Sequence, residues 1–188
     1  MKLLICEFKG LKKTKIELKK IKTKNRIIVY SFSNFTPQFL SKEYYKTVRF
    51  LKEETLKNNS KIILPFYIFF EGRKLVNGLF FSGGKIENVF GEGFSKKHLH
   101  LKVNNLNLIF LFYFELYFNG VKKQIDFSKV DLTVGLDDDE VGENLVFLDN
   151  KFFNKLVLIG GNGVVRAKNS ENILKKRENV CEYNVQKI

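Results

Sequence analysis

The sequence predicts a single α/β domain, and three observations lead to that prediction. The chain has 188 residues, of which 44% are hydrophobic and 14% aromatic, so one sizeable core can form. Short runs rich in β-branched and aromatic residues recur along the whole chain, as expected of strands. Two segments instead repeat apolar residues at helical spacing. We treat residues 1–188 as one domain, because no linker, internal repeat or low-complexity tract divides them.

The first third of the chain alternates predicted strands and helices. Apolar runs predict strands over residues 2–8 and 26–32. A short helix between them is one interpretation, although the alternation around residues 16–19 equally suits a strand. The stripe that favours this helix is Leu11, Thr14, Leu18 and Ile21. The clearest helix spans residues 41–57. Its apolar stripe is Leu40, Tyr44, Val48, Leu51 and Thr55.

The rest of the chain is predicted to be almost entirely β. Residues 61–70, 75–81 and 86–90 are apolar runs separated by glycine-containing turns, which is typical of a meander. A long apolar strand is expected at residues 106–118. Shorter strands are expected at residues 130–136, 155–159, 164–167 and 179–185.

The cysteine and histidine contents exclude several kinds of site. Cys6 and Cys181 are the chain's two cysteines, and each lies in a strand-like apolar run, so we expect small buried core residues. The two histidines, His98 and His100, are near neighbours, and nothing in the sequence marks carboxylates as further ligands. We therefore expect no metal site and no cofactor.

The sequence shows neither a secretion signal nor a membrane-spanning segment. The N-terminal apolar run is too short and lacks a cleavage site. The most apolar stretches, residues 62–70 and 106–118, fall short of the roughly 20 residues that a spanning helix needs. We expect a cytoplasmic protein without membrane contacts.

Positive charge is concentrated near the N-terminus. The formal net charge is +13, but residues 1–61 hold 16 basic and 5 acidic residues, whereas residues 62–188 hold 17 and 15. The densest part is residues 9–26, and a basic segment of this kind is suited to phosphate contacts with nucleic acid. No RRM, KH or helix-turn-helix pattern accompanies it. This basic patch consists of Lys9, Lys12, Lys13, Lys15, Lys19, Lys20, Lys22, Lys24 and Arg26.

Several segments follow one another in a specific order. Residues 75–81 read Leu-Val-Asn-Gly-Leu-Phe-Phe, residues 94–99 read Phe-Ser-Lys-Lys-His-Leu, and residues 109–118 form a long apolar strand. In order and spacing they resemble the LYNTAVV, YRKIHL and GLLICYDLRF segments of the nitrilase, or carbon–nitrogen hydrolase, superfamily. Residues 129–134 likewise resemble that family's GADLLLVP segment. The resemblance covers most of the chain, although no single motif is intact.

This resemblance implies a fold and a mode of association. The expected fold is a nitrilase-like α/β/β/α sandwich, reduced in size, with two packed mixed β-sheets and few outer helices. Members of the superfamily usually form dimers through one sheet-and-helix face. The resemblance therefore implies a homo-oligomer, or hetero-association with an active nitrilase-like relative.

The family's chemistry needs a Glu base, a Lys and a Cys nucleophile, and the resemblance retains one of the three. The Lys position is Lys96, whereas the Cys position is occupied by Tyr113. A phenol with a pKa near ~10 is a poor replacement for a thiol near ~8.5. The Glu position falls at residues 31–33, which contain no carboxylate, and the loop at residues 99–105 is much shorter than in the family.

We therefore expect no intact catalytic site. A degenerate family site is predicted at Lys96, Tyr113 and Glu115, and the favoured function is that of a pseudoenzyme acting through protein interaction or oligomerisation. Two alternatives stay open. One is nucleic-acid binding through residues 9–26, and the other is a residual hydrolase activity, outside the family reaction, that uses Lys96.

Overall fold

The computed structural model describes residues 2–21, 24–32, 36–92, 94, 98–112, 115, 124–136, 156–160, 165–168, 173–177 and 180–184. Within these residues the chain forms twelve strands, two α-helices and a short 3-10 turn at Phe127–Lys129. The helices are α1 (Leu11–Lys20) and α2 (Lys42–Asn58). The strands are β1 (Lys2–Glu7), β2 (Ile27–Ser31), β3 (Lys61–Phe70), β4 (Arg73–Ser82), β5 (Lys85–Gly91), β6 (Leu99–Val103), β7 (Leu106–Phe112), β8 (Leu132–Leu136), β9 (Leu156–Ile159), β10 (Val165–Lys168), β11 (Ile173–Arg177) and β12 (Val180–Asn184).

The strands assemble into two mixed sheets. The larger sheet has the order β11-β12-β1-β2-β3-β4-β5, and the smaller has the order β10-β9-β8-β7-β6. Parallel pairs join β1, β2 and β3 at the centre of the larger sheet, and hairpins extend it to either side. In the smaller sheet β7, β8 and β9 are parallel, and the edge strands β6 and β10 pair antiparallel.

Apolar side chains form one cluster between the sheets and one on each outer face. The inter-sheet cluster takes alternate residues of both sheets. A second cluster lies between the larger sheet and the two helices, and a third lies on the outer face of the smaller sheet. The predicted fold class, a reduced nitrilase-like sandwich with few outer helices, is confirmed. Typical residues of the inter-sheet cluster are Leu3, Val29, Ile63, Phe80, Leu108, Phe110, Val134 and Val157.

Strand β2 shows why the central strands read as continuous apolar runs. All five of its residues are buried. Ile27 and Val29 face the smaller sheet, whereas Ile28 and Tyr30 face the helices. A strand that is covered on both faces needs apolar residues at every position rather than at alternate ones. Cys6 on β1 is buried, as predicted, and belongs to the cluster beneath the helices.

Both predicted helices are present, and they pack against the larger sheet or each other. In α1 the stripe residues Thr14 and Leu18 are buried, so the alternative of a strand at residues 16–19 is wrong. Helix α2 begins after Ser41, whose Oγ accepts a hydrogen bond from the Tyr44 N–H at 3.1 Å. Leu40 is not part of the apolar stripe, because it precedes this cap and its side chain is 56% exposed. Neither helix in the described part of the chain is long and apolar enough to cross a membrane.

Residues 99–105, expected to be a shortened loop, form β6 and the turn into β7 instead. Leu99, Leu101 and Val103 alternate toward the inter-sheet cluster. The turn residues Asn104 and Asn105 have φ values of 51° and 62°. Two consecutive left-handed residues suit a tight hairpin turn, and asparagine tolerates that conformation better than most residues. Strand β11 was also not predicted, and it pairs antiparallel with β12.

Candidate functional site

The structure describes part of the predicted family site. Lys96 and Tyr113 lie outside the described residues, and Glu115 lies within them. The ends of the two strands that lead to the site are also described. Ser31 is the last residue of β2, and Phe112 is the last residue of β7, immediately before position 113.

Ser31 stands where the resemblance places the start of the family's Glu position. Its side chain is fully buried, and its Oγ has no hydrogen-bond partner among the described residues. By strand alternation it shares a face with Ile27 and Val29, which point toward the smaller sheet. Its neighbour in the β1–β2 pairing is Glu7, which is paired with Lys9, so a second carboxylate at this buried position would lose its hydration close to a like charge.

Three phenylalanine rings fill the space between the sheets beside Ser31. Phe112 lies with its ring centroid 5.9 Å from that of Phe32 and 5.6 Å from that of Phe90, on which it stacks. All three side chains are buried, and they come from the ends of β2, β5 and β7. We call these residues the phenylalanine cluster. Sequence reasoning missed it, because its members are far apart in the chain and only the packing of the two sheets brings them together.

Two glycines show how tightly this cluster is enclosed. A Cβ at Gly78 would overlap the Phe90 ring. A Cβ at Gly91 would lie 2.7 Å from Phe112 Cε2 and 2.6 Å from the Val76 carbonyl oxygen. Gly91 also has a φ of 119°, which other residues rarely adopt. The close approach of the strands leaves no spare volume on this side of the rings.

Glu115 is buried and bonds to the backbone three residues before it. Its side chain is 3% exposed, and its Oε2 accepts a hydrogen bond from the Phe112 N–H at 3.1 Å. The bond joins a carboxylate to the backbone N–H at the end of β7. Glu92, which follows β5, also binds the backbone, since its Oε2 accepts a hydrogen bond from the N–H of Val76 in the neighbouring strand β4 at 2.9 Å. These contacts give both carboxylates a positioning role.

The structure places the basic patch on the outside of the molecule, on α1 and the turn that follows. Lys9 and Arg26 are engaged in ion pairs, with Glu7 at 3.1 Å and Glu182 at 2.6 Å. Lys15 lies over the Phe50 ring, 5.1 Å from its centroid. Lys22 lies outside the described residues. The exposed members are Lys12, Lys13, Lys15, Lys19, Lys20 and Lys24.

Glu17 is the one acidic residue within the basic patch, and it is only half exposed. Its Oε2 is buried and has no hydrogen-bond partner in the described part of the chain. Burial raises the pKa of the Glu17 carboxyl, and the nearby Lys9 opposes this by lowering it. The net direction is upward, so the fold disfavours the charged form of this side chain.

The two histidines lie side by side at the start of β6. Their ring centroids are 5.0 Å apart, and burial lowers the pKa of both imidazoles. The searched residues contain no group of three or more His, Cys, Asp or Glu side chains that is placed to hold a metal ion. The Cys6 side chain faces the helices rather than the inter-sheet space.

Comparison with known structures agrees with this architecture. The protein superposes on a mutant of the Nesterenkonia AN1 amidase from the nitrilase superfamily with a TM-score of 0.64 and 7% identity, over 97% of this chain and 89% of that one. It also superposes on an amidase from Nesterenkonia sp. with a TM-score of 0.61 and 9% identity, over 97% and 89% of the two chains.

A third similar structure is a larger enzyme. The glutamine-dependent NAD+ synthetase from Acinetobacter baumannii matches with a TM-score of 0.58 and 14% identity over 85% of this chain. The protein spans only 38% of the length of that synthetase. Neither protein-family models nor curated protein sequences yield a match. The structural likenesses therefore show a fold, that of nitrilase-superfamily carbon–nitrogen hydrolases, and the sequence supplies no closer relationship.

The burial of Ser31 can be tested with two substitutions at this position. Ser31→Ala removes a buried hydroxyl that lacks a partner, so we expect a free energy of unfolding within about 1 kcal/mol of the parent protein. Ser31→Glu buries a carboxylate at a fully buried position next to Glu7, and we expect it to cost more than about 3 kcal/mol. Urea unfolding followed by circular dichroism measures both. Equal stability of the two variants would show that the end of β2 has room and a partner for a carboxylate.

The raised pKa of Glu17 predicts a pH-dependent effect on stability. The folded state holds the Glu17 proton more tightly than the unfolded state, so the contribution of this residue to stability is full below its ordinary pKa of 4.5. It is lost as the pH rises through the higher folded-state pKa. Glu17→Gln should therefore raise the melting temperature at neutral pH, and the gain should vanish below the ordinary pKa.

The control for this measurement is Glu87→Gln, which neutralises an exposed carboxylate on β5. Thermal unfolding of both variants across the acidic and neutral range separates the local effect from the change in net charge. A gain of the same size and pH dependence in both variants would assign the effect to the overall positive charge and would contradict the role of burial.

Proposed function

We propose that this protein is a non-catalytic member of the nitrilase-like fold and acts through protein association. The phenylalanine cluster is the observation that carries the proposal. It occupies the inter-sheet end of β2 and β7, which is where the resemblance places the family's base and nucleophile. The sequence supplies neither residue there, since Ser31 and Tyr113 stand at the corresponding positions.

The residue types at these two positions argue against hydrolysis of amides or nitriles. A covalent mechanism needs a nucleophile and a base within hydrogen-bond reach of it. The phenol of Tyr113 is protonated at neutral pH unless a neighbour lowers its pKa. A structure of one similar amidase carries a covalent adduct at its active-site cysteine. In this chain the corresponding position holds tyrosine.

An ammonia-release assay with a panel of aliphatic amides and nitriles tests this proposal. We expect no release above the background of a Lys96→Ala variant prepared in the same way. Lys96 is the one family residue that the resemblance retains, so this variant serves as a control for any residual hydrolase. Release by the parent protein that falls at least about tenfold in Lys96→Ala would overturn the proposal and would establish the residual activity instead.

Exposed aromatic side chains on one side of the larger sheet support association with a second copy of the chain. Tyr45 and Phe69 are each 57% exposed. Tyr45 contacts the buried Tyr44 ring and Phe69 contacts the half-buried Tyr67 ring, with centroid distances of 5.6 and 5.3 Å. Phe39 joins the two pairs, since its ring centroid lies 5.2 Å from that of Tyr44 and its N–H donates to the Tyr67 carbonyl at 2.9 Å. Contiguous exposed apolar surface of this kind is typical of protein contacts.

Sedimentation equilibrium tests the proposed self-association. We expect a dimer that the double variant Tyr45→Ser/Phe69→Ser converts to a monomer, because exposed aromatic anchors contribute most of the binding energy at such surfaces. Leu56→Ser is the matched control, since Leu56 is 70% exposed on α2 and is no part of that aromatic surface. A parent protein that stays monomeric at every concentration would contradict self-association.

The exposed lysines of α1 favour a second candidate function, which is nucleic-acid binding. Titration of a labelled mixed-sequence oligonucleotide at low salt tests it, because phosphate contacts strengthen steeply as the salt concentration falls. Joint replacement of four lysines by glutamine should weaken binding, and the same number of replacements elsewhere should weaken it less. Absence of binding at low salt would exclude this function. The four positions are Lys12, Lys15, Lys19 and Lys20.

A further inference from the structure

A cleft of about 370 Å³ opens at the amino ends of β2 and β3, at the opposite end of β2 from Ser31. It lies where the two sheets separate. Asn25, Arg26 and Lys61 line it from the larger sheet, and the β6–β7 turn lines it from the smaller sheet through Asn104. Its volume lies within the range of pockets that hold small molecules.

Backbone and side-chain hydrogen bonds hold the rim of this cleft. The Lys61 N–H donates to the Arg26 carbonyl at 2.8 Å, and the Asn25 N–H donates to the Asn58 carbonyl at 3.0 Å. The Asn59 Nδ2 donates to the Asn25 Oδ1 at 2.9 Å. Because these bonds tie the turn before β2 to the turn before β3, the lining groups are positioned without any ligand, which lowers the entropic cost of binding.

The charged groups that line the cleft are both cations. The Arg26 Nη1 donates to Glu182 Oε1 at 2.6 Å, and this pair orients the guanidinium plane. The remaining guanidinium N–H groups have no protein acceptor among the described residues, and neither does the Lys61 ammonium. The Nδ2 of Asn25 adds a donor whose amide is already oriented through its Oδ1. Both charged side chains of the lining are therefore hydrogen-bond donors.

We propose that the cleft binds the phosphate group of a small phosphorylated molecule. The planar guanidinium of Arg26 presents parallel N–H donors that match two oxygens of a phosphate, and Lys61 supplies a second, mobile charge. The asparagine amides around the rim are suited to hydroxyl groups on the rest of such a molecule. This site is separate from the inter-sheet end that holds the phenylalanine cluster, and it does not depend on the proposed self-association.

Titration calorimetry of the full chain at physiological salt tests the proposal. The probes are inorganic phosphate, a sugar phosphate and the same sugar without its phosphate. We expect the sugar phosphate to bind more tightly than inorganic phosphate and the free sugar not to bind. Lys61→Gln should weaken binding at least about tenfold, which corresponds to about 1.4 kcal/mol. Arg26→Lys keeps the positive charge but removes the parallel N–H donors of the guanidinium, so it should weaken binding as well.

Two controls keep the test decisive. Lys46→Gln removes an exposed positive charge from α2 and should leave the affinity unchanged. Circular dichroism establishes that each variant is folded. Loss of affinity in Lys46→Gln equal to that in Lys61→Gln would overturn the proposal, since it would reflect net charge alone. Absence of phosphate binding would overturn it too, and so would equally strong competition by an oligonucleotide, which would assign the cleft to nucleic-acid phosphates.

Discussion

Apolar side chains from two mixed sheets interlock in the space between them, and the rest of the structure depends on that contact. Each sheet contributes alternate residues of its central strands, so neither sheet can be moved without exposing the inner face of the other. A fully buried residue such as Phe110 or Val134 contributes about 1.5 to 3 kcal/mol of transfer free energy. Among the described residues α1 and α2 cover the outer face of the larger sheet, and the inter-sheet layer joins the two sheets.

The packing between the two sheets also determines which side chains lie at each end of the inter-sheet space. At the carboxyl ends of β2 and β7 the sheets meet through Phe32, Phe90 and Phe112. Glu92 and Glu115 accept hydrogen bonds from backbone N–H groups, of Val76 in β4 and of Phe112 at the end of β7. Acidic residues are therefore present near this end, and their described contacts are to the backbone. At the other end the sheets separate, and polar and cationic groups line a cleft instead.

The fold separates the residues of the basic patch onto two surfaces. Arg26 belongs to the basic patch in sequence, yet it lines the cleft and pairs with Glu182, which is 156 residues away. Lys9 is paired with Glu7, whereas Lys12, Lys19 and Lys20 are exposed on α1. A continuous basic segment in the chain therefore corresponds to two surfaces with different neighbours.

Patterns of neighbouring residues in the sequence predicted most helices and strands. Which residues from distant parts of the chain lie together was decided by tertiary packing. A run of β-branched and aromatic residues predicted β3 over its full length, and the helical repeat predicted α2. The sandwich class was instead expected from the family resemblance. Strand β6 was not predicted. The alternation of Leu99, Leu101 and Val103 is short, and only its pairing with β7 identifies it as a strand. The placement of Tyr113 at the position of the family's cysteine rests on the sequence resemblance alone. That Phe32, Phe90 and Phe112 meet between the sheets, and that Arg26 and Lys61 share a cleft, followed only from the structure, because these contacts join residues that no local pattern relates.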